Sequence, residues 1–301
     1  MAISEQWAEL LEPGLRAIFE VQREALAAAS RVPALFNVVP STKAEEHDLG
    51  MGGFGDWPEY EGAIEYDDPE QLYKTTFTHK EYVKAFKVER KLVDDDQYNV
   101  INRRPRGLAL SAMRTREKHA ASVFNNAFSD TYAGGDAVGL LSSAHPASPA
   151  NTSTTQENEG TTALSYDSVI ETRRLMREFE DDRGQLIPIN PQLILVPPEL
   201  EETANAIVNT MNKVDVADYH DSLVQRRGIG FLVWDYLTDA NNWFLIDVPM
   251  AKMYLLWLNR KDLEFSMDPT SDFSLEARFR GYMRYSYGWS DWRWVYGHAV
   301  T

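Results

Sequence analysis

Residues 82–128 read YVKAFKVERKLVDDDQYNVINRRPRGLALSAMRTREKHAASVFNNAF, and a change of period inside this stretch decides the fold. Before the aspartates the residues alternate. Tyr82, Lys84, Phe86 and Val88 fall on one side and Val83, Ala85 and Lys87 on the other, the two-residue period of a strand. After Pro105 the period becomes helical. The spacing predicts a helix over about 106–128, with Leu110, Met113, Ala120, Phe124 and Ala127 on one stripe and Arg114, Glu117 and Lys118 facing away. At about 1.5 Å per residue such a helix exceeds ~30 Å, long enough to be the axis of a folded body.

Upstream, residues 58–90 keep the alternating texture with few strongly apolar positions on both faces. The expectation is a long exposed hairpin, a form that is marginal alone in water and needs a neighbour to lie on. Residues 32–57 are irregular, with Pro33, Pro40 and four glycines. Residues 5–29 carry Trp7, Leu10, Leu11, Leu15, Ile18, Phe19 and Val21 at helical spacing, interrupted by Pro13 and Gly14. That pattern predicts two short helices and an apolar face in need of a partner surface, here expected on another subunit.

Downstream, residues 142–162 read SSAHPASPANTSTTQENEGTT, a polar tract unable to build a core and expected to be a surface connector. Ser165 can cap a helix running through Val169, Thr172, Met176 and Phe179. PQLILVPP at 191–198 is a short apolar strand bounded by prolines, and a helix through Leu200, Ala204, Ile207, Val208 and Met211 follows it. Strands at 228–235 and 243–248 complete an α/β unit, and 254–301 is strand-rich and aromatic.

The 301 residues carry 46 acids against 30 lysines and arginines, a net charge of −16. Such a surface repels phosphate backbones, which argues against nucleic-acid recognition. With no cysteine, disulfides, zinc ribbons and thiol catalysis are excluded. No run of about eighteen apolar residues exists to span a membrane. MAISEQWAELLEPG lacks the pattern of a secretory signal, so a chain made and assembled in a cytoplasm is expected.

Motifs for chemistry fail on their context. GMGGFG, with Gly50, Gly52 and Gly55, matches a dinucleotide glycine pattern but precedes Asp56-Trp57-Pro58 rather than a helix, so it reads as a hinge. Asp94, Asp95 and Asp96 are consecutive and cannot all turn toward one cation; Asp96 is instead expected to pair with Arg103, Arg104 and Arg106. The histidines at 47, 79, 119, 145, 220 and 298 show no ligand spacing, and His145 has no visible partner. No nucleophile elbow or phosphate loop is present. Catalytic, cofactor and metal sites are therefore expected to be absent.

Four segments in order, GDWPEYEG (55–62), YVKAFKVERKLVDDDQYNVI (82–101), LLSSAHP (140–146) and LILVPPELEETA (193–204), resemble the major head proteins of Mu-like tailed phages. These belong to the tailed-phage capsid family with the Hong Kong 97-type fold. The resemblance implies an α+β chain with an N-terminal arm at 1–50 and an extended-loop hairpin at 51–90. It further implies a peripheral domain at 91–141 and 251–301 around a long spine helix, and an α/β axial domain at 142–250. It implies hexamers and pentamers of an icosahedral shell enclosing double-stranded DNA, with portal, scaffold and decoration proteins as further partners. On this reading His145 is a turn residue between domains. Trp57, Tyr60, Tyr66, Tyr73, Phe77, Arg103, Arg104 and Arg280 are the candidates for contact between subunits. An encapsulin-like compartment sharing the fold, and a hydrolase using the His145 loop, are the alternatives.

Overall fold

A computed structural model describes residues 7–62, 64, 66–95, 97–209, 223–268 and 275–301. The chain opens with helix α1 (Trp7–Ala28), the short helix α2 (Val32–Leu35) and strands β1 (Asn37–Pro40) and β2 (Glu45–Met51). Strands β3 (Gln71–Thr78) and β4 (Lys80–Glu89) follow, then short helices α3 (Arg90–Asp94) and α4 (Tyr98–Ile101) and the long α5 (Arg103–Asn125). Three two-residue strands, β5 (His145–Pro146), β6 (Thr155–Gln156) and β7 (Glu159–Gly160), lie in the polar tract. The second half holds α6 (Tyr166–Met176), β8 (Leu193–Val196), α7 (Glu201–Asn209), α8 (Leu223–Arg226), β9 (Gly230–Val233), β10 (Trp243–Ile246) and α9 (Val248–Tyr254). It ends with β11 (Leu255–Asp268), β12 (Glu276–Trp289) and β13 (Val295–His298).

Two sheets organise these elements. The first runs β1-β11-β12-β4, and α5 lies across one of its faces. Its centre is the antiparallel pair β11–β12, each strand of 14 residues. Phe265, Phe279, Met283 and Tyr285 point from these strands toward α5 and are buried. Tyr82 stacks on Tyr285 and Phe86 on Phe279, so the one-sided alternation of 82–88 is real. Its location differs from the expectation. β4 pairs with β12 from Lys80↔Tyr285 to Glu89↔Glu276, within the sheet and not in an exposed hairpin. It is an edge strand, and Lys80, Lys84 and Lys87 along it discourage stray pairing.

Helix α5 spans 23 residues and buries Leu108, Ala109, Ala112, Met113, Ala120, Ala121, Val123 and Phe124. Leu110, placed on the apolar stripe from sequence, is half exposed, because Leu108 and Ala112 set the true face. Glu117 also turns inward. Its carboxylate accepts from the Ser30 hydroxyl, the Arg31 amide and the Trp234 indole, tying α1's end and the second half of the chain to α5.

Helix α1 is continuous through Pro13 rather than broken. Proline removes one backbone donor there, and the packing of Leu15 and Phe19 offsets the loss. Phe19 meets Phe265 at 4.9 Å between ring centroids. The partner surface expected on another subunit is thus supplied by this chain's own α5 and β11, while Leu10 and Val21 stay exposed.

The second sheet runs β7-β13-β10-β8-β9 and mixes parallel and antiparallel pairs. β10 and β13 are buried along their whole length, as central strands should be. Ser165 caps α6 through a reciprocal bond pair with Ser168. The chain's last strand therefore joins this α/β unit rather than the α5 body. Met211, His220 and Asp96, all weighed from sequence, lie outside the described residues.

Candidate functional site

Strands β2 and β3 form a separate two-stranded ribbon, registered Glu45↔Thr78 through Leu49↔Lys74, with a shift before Met51↔Gln71. Sequence reading missed β2 because EEHDLGM has no apolar alternation; only a paired partner makes it a strand. The connecting loop, 52–70, is GGFGDWPEYEGAIEYDDPE and contains no lysine or arginine. Its large apolar side chains are bare. Trp57 is 95% exposed, Tyr66 93%, Tyr60 74% and Phe54 60%, and Ile64 is exposed as well. A cluster of this kind on a soluble surface marks an interaction site.

The base of this loop is seated on the chain itself. The Gly53 amide donates to Asp182 Oδ1 at 2.8 Å, and Arg183 donates to both oxygens of Asp67 at 2.7 and 2.8 Å. The Gly55 amide also reaches Asp67, and Ser148 Oγ donates to Glu70 at 3.3 Å. The Arg183 bonds and then the Gly55 amide hold the Asp67 carboxyl below the usual carboxylate range. The glycine motif now has a physical reason. A Cβ on Gly52 would stand 2.3 Å from Asp182 Oδ2, and one on Gly53 2.6 Å from Asp181 Oδ2. These glycines admit an anion, as a phosphate loop does, but the anion is the protein's own carboxylate.

At the ribbon's root His79 is buried between two hydroxyls, Ser41 Oγ and Ser286 Oγ, each 3.0 Å away. Burial, followed by the charge of Arg284, pushes this histidine below its ordinary value. At the other, loop end of the ribbon Tyr73 lines a cavity of about 170 Å³ with Leu49, Gly50 and Trp292, and burial raises its hydroxyl. Phe77 is buried against Gly288, so its ring serves the chain's own packing and is not available at the surface.

The sequence-level candidates thus divide. Trp57, Tyr60 and Tyr66 share the exposed loop, whereas Tyr73 and Phe77 sit inward. Arg103 is exposed at the start of α5, and Arg104 donates to the Lys87 carbonyl. Arg280 is engaged within the chain, with Asp268 at 3.1 Å and Ser266 Oγ at 3.1 Å. Phe54 and Ile64 were missed from sequence. Their signal was the acid-rich, cation-free run in which they stand.

His145 is not a turn residue on a surface excursion. It is fully buried, stacked on Trp292 at 4.3 Å, with Nδ1 2.7 Å from Asp136 Oδ2 and Nε2 3.1 Å from Asn158 Oδ1. Asn158 Nδ2 donates to the Leu140 and Val295 carbonyls, which fixes its oxygen toward His145 and the Ser142 amide. With both nitrogens occupied and no exposure, this ring cannot serve a substrate. Among the described residues no group of three or more acids or histidines is arranged for a metal ion.

His298 is a second buried ring, stacked on Trp243 at 4.3 Å. Thr172 Oγ1 gives its proton to the Ser168 carbonyl, so His298 Nε2 donates to Thr172 at 2.8 Å while Nδ1 accepts from the Thr162 amide. This neutral form is complete, and burial pushes the ring from 6.5 down to about 4. The unfolded chain therefore binds more protons between those values. The resulting stability is fully present above pH 6.5 and is lost as pH falls toward 4. A loss of up to about 3 kcal/mol is expected, and urea unfolding across this window checks it. His298→Gln should flatten the pH dependence; an unchanged slope in that variant would refute the assignment.

Against this geometry the comparisons are clear. The sequence matches the family described as phage capsid protein over residues 72–297. No curated protein matches it. Among solved structures, the procapsid of bacteriophage JBD30 is similar with a TM-score of 0.55 at 16% identity, covering 96% of this chain and 75% of that one. A chain titled Microbacterium phage Oxtober96 gives 0.54 at 8% identity, covering 90% and 91%. A virus-like particle from Pyrococcus furiosus gives 0.55 at 10% identity, covering 95% and 98%. At these identities the structures show a shared fold, of the Hong Kong 97 type.

Proposed function

The chain belongs to the phage capsid protein family, and from that premise we propose that it is the major head protein of a tailed phage. Its copies form hexamers and pentamers of an icosahedral shell around double-stranded DNA. In this reading α1 is the N-terminal arm and the β2–β3 ribbon the extended loop. The α5 body is the peripheral domain, and the five-stranded sheet with α6 and α7 is the axial domain. The Mu-like order of segments is the finer placement within the family. One observation carries the reading beyond family membership: the ribbon tip exposes Phe54, Trp57, Tyr60, Ile64 and Tyr66 together, a surface that a free monomer leaves in water.

A heterologous contact that closes on itself gives rings, and small changes of angle at one contact give five- or six-fold rings. The acidic balance suits a wall that contains DNA without holding it. Portal and scaffold proteins are partners of the assembly under this reading. A decoration protein is a third, supported by a related JBD30 capsid that is titled as decorated with minor capsid protein trimers. The likeness to the Pyrococcus furiosus particle over nearly all of both chains supports a second reading, a compartment of the same fold enclosing protein. The purified chain is expected to appear in negative stain as rings or closed particles of megadalton mass. A stable monomer at high concentration would overturn the shell reading, and particles purified from producing cells with protein but no DNA inside would favour the compartment.

A further inference from the structure

In a chain with a net charge of −16, helix α5 has the opposite balance. It carries Arg103, Arg104, Arg106, Arg114, Arg116 and Lys118 against a single acid, Glu117. Two of the cations serve the fold. Arg116 lies over the rings of Trp257 and Tyr285, and Arg104 donates to the Lys87 carbonyl. Glu117 is engaged inward by Ser30, Arg31 and Trp234, so it neutralises nothing on the outer face. Arg103, Arg106, Arg114 and Lys118 remain. All four are exposed, and none is in an ion pair with any of the described residues.

These four share one face. At 3.6 residues per turn, positions 103, 106, 107, 110, 114 and 118 fall within about 120° of the helix circumference and run for about 22 Å. The solvent side of α5 is thus a cationic stripe, interrupted only by Gly107 and the half-exposed Leu110. Two of its features cost the isolated helix stability. Lys118 stands one turn from Arg114, a like-charge pair, and Gly107 is a weak helix former. The chain's own packing asks for neither. A Cβ on Gly107 would meet nothing within 4 Å, so no internal neighbour requires a glycine there. An anionic partner that comes close to the helix backbone at 107 accounts for both.

Resting on the shell reading above, we propose that this stripe binds the phosphate backbone of the enclosed double-stranded DNA, which makes the outer face of α5 part of the inner wall. A second copy of the chain fits the stripe less well. Contacts between proteins centre on apolar and aromatic side chains, and here Leu110 stands alone among cations, while the exposed rings lie on the ribbon loop. Contacts to DNA are more polar and strongly positive, and the arginine fork matches a phosphate. Arg106 and Arg114 are about 12 Å apart along the axis, close to the width of the major groove. Arg103 with Arg106, and Arg114 with Lys118, then reach phosphates on the two sides of one groove. No base is read. The acidic remainder of the surface repels DNA, which confines the contact to the stripe and leaves the duplex free to slide.

The test has two arms. In the first, a short DNA duplex of arbitrary sequence is titrated with dilute chain or rings at several salt concentrations. Four phosphate contacts predict a loss of affinity on the order of 10² between about 50 and 200 mM salt. Arg103→Gln with Arg106→Gln should halve the slope of log affinity against log salt, and glutamine at all four positions should abolish binding. All four side chains are exposed, so circular dichroism and thermal unfolding should match wild type. No binding by wild type at low salt, or an unchanged slope in the double variant, would overturn the proposal. Polyglutamate bound in preference to DNA would overturn it in favour of an acidic protein partner.

The second arm uses whole particles. Acetylation of Lys118, read by mass spectrometry, should be several-fold slower in DNA-filled particles than in the same particles emptied of DNA. Equal rates in filled and emptied particles would sink the DNA contact and leave the shell reading standing. Failure of the wild-type chain to form rings or particles at all would overturn the shell reading itself.

Discussion

Replacing Trp57, Tyr60 and Tyr66 together by serine is expected to abolish closed particles while leaving every chain folded. The three side chains are almost wholly in water in the single chain, so their removal takes no contact from its core. Unfolding should stay within about 0.5 kcal/mol of wild type, as for surface changes away from packed features. In an assembly each ring is worth about 2 kcal/mol if it is buried against a neighbour. Three rings then give about 6 kcal/mol per contact, on the order of 10⁴ in an association constant. A shell repeats that contact at every subunit, so even half the loss would keep subunits apart. Sedimentation of the variant and wild type at equal concentration measures this. Normal particles from the variant, with normal thermal stability, would show that the exposed tip is not an assembly surface.

The choice of residues for this experiment depends on where the ribbon lies, and the sequence showed that only in part. Alternation marked 82–88 as a strand, and the α5 helix was legible because it holds one buried stripe for 23 residues. Alternation alone does not say which sheet a strand joins. β4 was read as a hairpin arm because few of its positions are strongly apolar on both faces, a pattern that an edge strand of the central sheet shows equally. The second arm is β2, whose acidic residues carry no strand signal until Gln71–Thr78 pairs with it. Deleting 60–82 would therefore remove β3 and part of the core sheet along with the tip, which is why substitution at the tip is the sharper test.

Of the aromatics named as contact candidates, Trp57, Tyr60 and Tyr66 are exposed in the single chain and Phe77 is buried, a division that the acid-rich run 52–70 foreshadows because rings among carboxylates have no core to enter. The glycine motif was read as a hinge, and its seat on Asp181 and Asp182 was out of reach because it joins residues about 130 positions apart in the chain. Arg280 looked free for a neighbour because Asp268 approaches it only through the pairing of β11 with β12. Long-range pairing is the information that local spacing lacks.

His145→Ala is expected to destabilise the folded chain strongly, although the residue sits in a tract that reads as a polar connector. Asp136 lies nine positions before it, Asn158 thirteen after, and Trp292 comes from the far end of the chain, so no window of sequence shows the site assembling. Alanine leaves the Asp136 carboxylate, itself only 10% exposed, without its partner, and leaves one acceptor site on Asn158 empty. Removing one member of a buried pair of this kind costs about 3–5 kcal/mol, and the Trp292 stack adds about 1.

His145→Gln separates shape from bonding. A glutamine amide can donate to only one of the two oxygens in the geometry that the imidazole spans, so about half of the loss should return. Thermal unfolding should fall on the order of 10 °C for alanine and by roughly half that for glutamine. The assembly consequence is indirect but large. Asn158 ties the tract to Leu140 and Val295, and β7 beside it pairs with β13, so loosening His145 frees the edge of the five-stranded sheet. Particle yield should fall with stability for both variants and recover at low temperature. An alanine variant that unfolds like wild type would mean that the Asp136–His145–Asn158 chain is spectator geometry, and the tract would revert to a plain connector.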